Sequence, residues 1–216
     1  MKVERITLMV CLLPAILSCA RKEEKSPIQE KLDSYAVFQI GSPYMEGISD
    51  NGKEVLNLFR MAADEVDNIY WEQSFGDKSL ITDLPDGPEK EFAMLNYGPW
   101  DRLDDNAPFI KGYGAKPAGA CFYPADMTAA EFDTLKDPAK NSPYTLIRRR
   151  ADRSLEVVWY HDAYKEHIDK ICAYLESAAT MTIKESVKNY LLKRAEALRT
   201  DSYLESDLAW MDMKDS

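Results

Sequence analysis

Two histidines and two cysteines, His161, His167, Cys121 and Cys172, are the side chains best suited to metal or nucleophilic chemistry, and their spacing argues against both. A zinc peptidase needs two histidines one helical turn apart, with a glutamate between them to deprotonate the metal-bound water. His161 and His167 are six positions apart, about 600° of rotation on a helix, which leaves their rings roughly 120° from a common direction. Asp162, Glu166 and Asp169 surround them, enough for a weak adventitious metal site at most; both are expected to be surface or helix-terminus residues. A cysteine nucleophile needs a histidine base within hydrogen-bond reach. Cys172 falls on an apolar helical stripe and Cys121 among Ala120, Phe122 and Tyr123, so each has the surroundings of a small core hydrophobe, although an exported chain could join them in a disulfide. Gly112-Tyr113-Gly114 lacks the third glycine and the strand-to-helix frame of a dinucleotide fingerprint. Arg148-Arg149-Arg150 falls at an expected turn, where a solvated tip is the simpler role than an anion site.

The richest constellation is Asn96-Tyr97-Gly98-Pro99-Trp100-Asp101-Arg102-Leu103. Stacking surface beside directional hydrogen-bonding groups suits a peptide or sugar pocket, which makes Asn96, Tyr97, Trp100, Asp101 and Arg102 the candidate cleft contacts. The same residues equally suit a buried loop that must satisfy its own backbone.

The elements that would position these groups follow from periodicity. Val55, Phe59, Ala62, Val66, Ile69 and Tyr70 recur at three- and four-residue steps and predict a helix over 51–71. Gly76, Pro85, Gly87 and Pro88 predict turns and loops over 72–90, and the Gly, Pro and aromatic density of 91–123 predicts ordered irregular structure with short strands at most. Thr128 and Glu131 form a capping box opening a short helix to Lys136. Residues 144–148 and 155–160 are β-branched and aromatic and predict an antiparallel hairpin. Stripes through Tyr164, Ile168, Ile171, Cys172 and Leu175, and through Val187, Tyr190, Leu191, Ala195 and Leu198, predict an antiparallel helical pair, the second opened by a capping box of Thr182 and Glu185. Leu204, Leu208, Trp210 and Met211 form a last apolar segment that ends abruptly. The fold class expected is α+β: helices with a small antiparallel hairpin or sheet.

Composition bounds the rest. The chain has 216 residues, 45% hydrophobic and 30% charged, with net charge −10: enough for a real core, and the wrong sign for neutralising phosphates, so nucleic acid is excluded as a partner. Lys2 and Arg5 precede an apolar run at 8–17, too short to span a bilayer, which suits a secretory signal over 1–18. Ile16-Leu17-Ser18-Cys19 resembles a bacterial lipobox, which would make Cys19 the lipidated first residue of the mature protein. Residues 19–34 then form the lipidated cysteine and a flexible polar tether. The expected location is the bacterial cell envelope, anchored by lipid to a membrane, the outer one by preference. Residues 35–216 would form the folded domain.

Several separated segments carry a family resemblance: IYWEQSFGDK (69–78), LNYGPWDRLDDNAPFI (95–110), GAKPAGACFYPADMTAAEF (114–132), YTLIRR (144–149) and 188–216. Together they resemble the N-terminal part of Bacteroidetes-type lipoproteins related to dipeptidyl peptidase III, a family of zinc-dependent exopeptidases. The resemblance implies a two-lobed metallopeptidase that releases dipeptides from peptide N-termini, with this chain corresponding to part of the non-metal lobe. It also implies that the zinc helix and the residues gripping the substrate's amino group lie downstream of the matched part. No catalytic or metal residue carries over, and zinc is expected in the complete family protein and not in this chain. Hydrolysis by the chain alone is therefore not expected, and an apolar face around Leu208, Trp210 and Met211 should await the rest of the protein. A different class of protein remains open from the residues themselves: a non-catalytic lipoprotein binding peptide or glycan through the Tyr97/Trp100 loop.

Overall fold

The computed structural model describes residues 25–38 and 46–213. The expected signal peptide and Cys19 lie outside the described residues. Helix α2, Asp50–Ser74, is the spine of the fold. Ser49 starts it by accepting the Gly52 N–H on its hydroxyl, and its 25 residues give it a length of about 37 Å. Along that length it serves three apolar clusters in turn. Val55, Leu58 and Phe59 pack on Ala178, Ala179 and Leu191. Ile69 packs on the cluster of Leu146, Tyr164, Ile168, Cys172 and Ala195. Trp71 anchors the cluster with Ile81, Ala93 and Ile110.

The expected helical pair is α7, Lys165–Met181, and α8, Glu185–Thr200. Helix α7 lies between α2 and α8, and α9, Leu204–Met211, packs on α8. The Thr182 capping box is not formed: the helix is capped at Lys184, with no side chain accepting from its first turn. At the other predicted site the box is complete. Thr128 and Glu131 cap each other's backbone at the start of α5, Ala129–Thr134, and Glu131 also receives Arg149. The Arg149 guanidinium, together with the Thr128 backbone N–H, holds the Glu131 carboxyl down at about 2.

The hairpin is present as predicted. Strands β3, Thr145–Arg149, and β4, Leu155–Trp159, pair antiparallel with Ile147 opposite Val157. β3 buries Thr145, Leu146 and Ile147 under the helices, and the Ile147 N–H donates to the Phe122 carbonyl at 3.0 Å, tying the irregular 117–125 segment to its edge. A second, two-residue pairing joins β1, Trp100–Asp101, to β2, Ala107–Pro108. The α+β class holds.

Two departures have physical causes. Residues expected to be tether contain helix α1, Pro27–Asp33, capped by Ser26 with Pro27 in its first turn. It is held to the domain by Lys31, whose ammonium binds Asp101 at 2.5 Å and Asp104 at 2.9 Å. The expected loop over 72–90 contains a one-turn helix α3, Ser79–Thr82, and the start of α4, Pro88–Asn96. Pro88 does not break the chain into a loop here, because proline at the first helical position lacks only an N–H that would have no partner there. Helix α9 exposes much of its apolar surface, Trp210 at 60% and Met211 at 69%, the apolar face expected around Leu208, Trp210 and Met211.

Candidate functional site

The 96–102 segment wraps around the C-terminal half of α2. Tyr97 ends α4 in the left-handed region, φ 54°, a conformation that costs a tyrosine roughly 1 kcal/mol and is held by its surroundings. Its hydroxyl donates to Asp67 at 2.6 Å, and its ring meets Tyr70 edge-on and Trp71 at 5.0 Å. That hydrogen bond to Asp67, aided by burial, raises the Tyr97 phenol above its ordinary value. Burial opposes the charge on Asp67, but Tyr97 and Lys78 outweigh it and keep the carboxyl low. Gly98 follows at φ 139°, where a Cβ would press on Trp100 and Phe75.

The remaining candidates are also occupied. Asn96 donates to the Phe92 carbonyl at 2.9 Å and accepts the Arg102 N–H at 3.0 Å. Trp100 donates its indole N–H to the Gly114 carbonyl at 2.9 Å and packs against Phe75 and Tyr113. Asp101, 3% exposed, accepts Lys31 and the Leu103 N–H. Arg102 reaches back to the Leu95 carbonyl at 2.7 Å and lies over the Tyr97 ring. Asn96, Tyr97 and Arg102 thus meet directly, whereas Trp100 and Asp101 serve the neighbouring loop and α1. Their polar tips satisfy the backbone and one another. A cleft of about 850 Å³ lies next to this segment, lined by 104–108 and 115–120, among them Asp104, Lys116 and Gly119.

The histidines are more engaged than their spacing suggests. His161 lies in α6, Tyr160–Ala163, with its Nδ1 2.7 Å from Asp201, whose side chain is fully buried. His167, in the first turn of α7, bridges to α2: Nδ1 is 2.6 Å from Glu65 and Nε2 is 3.1 Å from Glu72. Sequence spacing could not show this, because both partners lie about a hundred positions away. Burial works against the imidazolium, but the two carboxylates outweigh it and raise the His167 pKa. Glu65, opposed by burial and favoured by His167 and Lys170, titrates below the usual range.

This is a poor fit for zinc. A ligating imidazole offers one nitrogen lone pair to an ion shared with the other ligands, whereas here carboxylates sit on opposite edges of one ring and each takes a ring N–H. Among the described residues no group of three His, Cys, Asp or Glu side chains could hold a metal ion. The cluster is a helix-to-helix tie. A group whose pKa is raised on folding stabilises fully below its unfolded value and loses that contribution as pH rises through the folded value. His167→Gln is therefore expected to cost about 1 kcal/mol near pH 6, given partial exposure, and progressively less toward pH 9. Urea unfolding at the two pH values checks this; a deficit that grows with pH would contradict it.

Cys121 and Cys172 are both free thiols. Cys172 is buried and donates to the Ala195 carbonyl at 3.3 Å, the core role its stripe predicted. The arginine run is knit into the fold: Arg149 binds Asp126 and Glu131, and Arg150 binds Glu156. Among the described residues no helix is long and apolar enough to cross a membrane.

The fold has close relatives among solved structures. It superposes on the dipeptidyl peptidase III of Caldithrix abyssi with a TM-score of 0.80 and 33% sequence identity, over 87% of this chain and 38% of that one. The fold is similar to part of dipeptidyl peptidase III. The dipeptidyl peptidase III of Corallococcus sp. strain EGB gives a TM-score of 0.79 at 28% identity, over 88% of this chain and 38% of that one. Among curated proteins, Nudix hydrolase 3 of Arabidopsis thaliana is 25% identical over 249 residues, covering 86% of this chain and 32% of its own length. No family model matches. The chain thus spans about two fifths of the dipeptidyl peptidase III structures and about a third of the curated relative it matches.

Proposed function

We propose that this chain contributes part of the non-metal lobe of a dipeptidyl-peptidase-III-like zinc exopeptidase, forming one wall of a peptide cleft, and that it is inactive by itself. The observation that carries this reading is the agreement of fold and sequence with the Caldithrix abyssi enzyme, 33% identity at a TM-score of 0.80 across 87% of the chain. In this reading the zinc chemistry belongs to polypeptide other than the described residues, among which no group of three His, Cys, Asp or Glu side chains could hold a metal ion. Lewis-acid activation of water needs an ion held by several ligands with an open position, and the His167 cluster supplies neither. The exposed Trp210 and Met211 suit a surface that further polypeptide covers. The lipobox-like Ile16-Leu17-Ser18-Cys19 supports a lipid-anchored protein of the bacterial envelope.

The binding-protein alternative has less behind it, since the Tyr97 and Trp100 polar groups are already committed to Asp67 and Gly114. The genome tests the two readings. An open frame continuing beyond Ser216 and encoding a helix with the His-Glu zinc pattern supports the peptidase reading; unrelated sequence there, with no partner gene encoding such a helix, would refute it.

A further inference from the structure

The hairpin, the 117–125 segment, the end of α2 and the junction between α6 and α7 line a cleft of about 620 Å³. Arg149 on its wall is committed to Asp126 and Glu131. Arg148 is not committed in this way. Its Nη1 donates to the carbonyls of Cys121 at 2.9 Å and Ile147 at 3.1 Å, and among the described residues it meets no carboxylate, although the chain carries a net charge of −10. The rest of the guanidinium fork is left for a further acceptor.

Tyr164 on the same wall is 4% exposed, and its hydroxyl is buried without a hydrogen-bond partner. Gln73 is close enough to influence the phenol but is not in hydrogen-bonding geometry with it. Burial pushes this phenol up to about 12, so it remains a neutral donor at physiological pH, and Tyr164 lines the cleft together with Arg148. The carboxylate on the wall, that of Glu72, is held by His167. Tyr123, Pro124, Val158 and Ala163 supply apolar surface.

An orphaned buried hydroxyl and a half-buried cation without a counter-charge each carry a desolvation cost. One carboxylate relieves both, accepting the guanidinium fork and the phenolic O–H together. We propose that this cleft binds a small carboxylate attached to an apolar group, as in the acid end of a short peptide or an acylated amino acid. The hydroxyl is covered in the structure, so entry requires a side-chain shift of the kind common at binding sites. The inference rests on this geometry and is independent of the peptidase reading.

Titration of the 216-residue chain with N-acetylphenylalanine, its amide and inorganic phosphate, followed calorimetrically, tests the proposal. The acid is expected to bind saturably and at least tenfold tighter than the amide or phosphate. Tyr164→Phe should weaken acid binding about fivefold while raising the melting temperature, because an unpaired buried hydroxyl is gone. Arg148→Gln should reduce the acid to the amide's affinity; since it also removes two carbonyl contacts, Tyr164→Phe carries the decision if that variant does not fold. Absence of saturable acid binding, equal affinity for acid and amide or for acid and phosphate, or unchanged binding in Tyr164→Phe would overturn it.

Discussion

Trp71→Ala lowers the stability of the domain by about 3–5 kcal/mol, the largest loss expected from a single truncation here. Trp71 is 1% exposed, and its ring meets Phe75 just past the end of its own helix, Tyr97 at the end of α4, and Lys78, whose ammonium lies 5.5 Å from the ring centre. Its removal leaves a cavity between Ile81, Ala93 and Ile110, which come from three different segments and cannot all close inward together. For a chain of this size the loss corresponds to a fall in melting temperature of roughly 10 °C. Trp210→Ala provides the contrast: at 60% exposure it should change stability by under about 0.5 kcal/mol. Thermal unfolding of the two variants side by side checks both, and comparable losses would mean that the core is misplaced or that α9 is buried in solution.

Asp101→Ala should cost about 2 kcal/mol and release α1. Asp101 is 3% exposed, yet Lys31, its ion partner, remains half in water. The pair is therefore weaker than a fully buried one, whose disruption costs about 3–5 kcal/mol, but stronger than a surface bridge worth about 1 kcal/mol or less. Asp101 also accepts the Leu103 N–H that fixes the β1 turn, so the loss extends beyond the ion pair. Lys31→Ala removes only the outer, half-solvated partner and should cost about 1 kcal/mol, because the Asp101 carboxylate keeps its backbone donor even though the exposed bridge to Asp104 is lost with it. Combined in a double-mutant cycle, the two changes should be sub-additive. Hydrogen exchange over 27–33 should accelerate in both variants; unchanged protection there would show that α1 is held by something other than Lys31.

Where periodicity was strong, the sequence was informative. The 51–71 stripe is α2, longer by one residue at its start and three at its end, and the Leu155–Trp159 strand pairs in the expected antiparallel sense. Local rules failed where a distant partner decided the outcome. Pro27 and Pro88 looked like punctuation, yet each begins a helix, and α1 is fixed by acids 70 or more positions away. The Thr182 box matches the pattern, but the helix begins at Glu185 with Lys184 at its cap, past the residue whose hydroxyl would have capped it. The 96–102 segment was singled out correctly as unusual, since such a density of aromatic and polar groups has to be organised by something. What organises it is Asp67, Phe92 and Gly114, contacts invisible at any fixed spacing. The unpaired state of Arg148 was hidden for the same reason: three consecutive arginines look alike until the acids that claim Arg149 and Arg150 are located.

The role proposed for this chain is the frame of one lobe without the metal chemistry. Its most direct test is to express the chain, dialyse it against buffered zinc, and measure bound zinc together with dipeptide release from a dipeptide with a free N-terminus and a chromogenic amide at its C-terminus. The account predicts a cooperatively folded protein with well under one zinc per chain and no release above the uncatalysed rate. One tightly held zinc per chain accompanied by dipeptide release would contradict it.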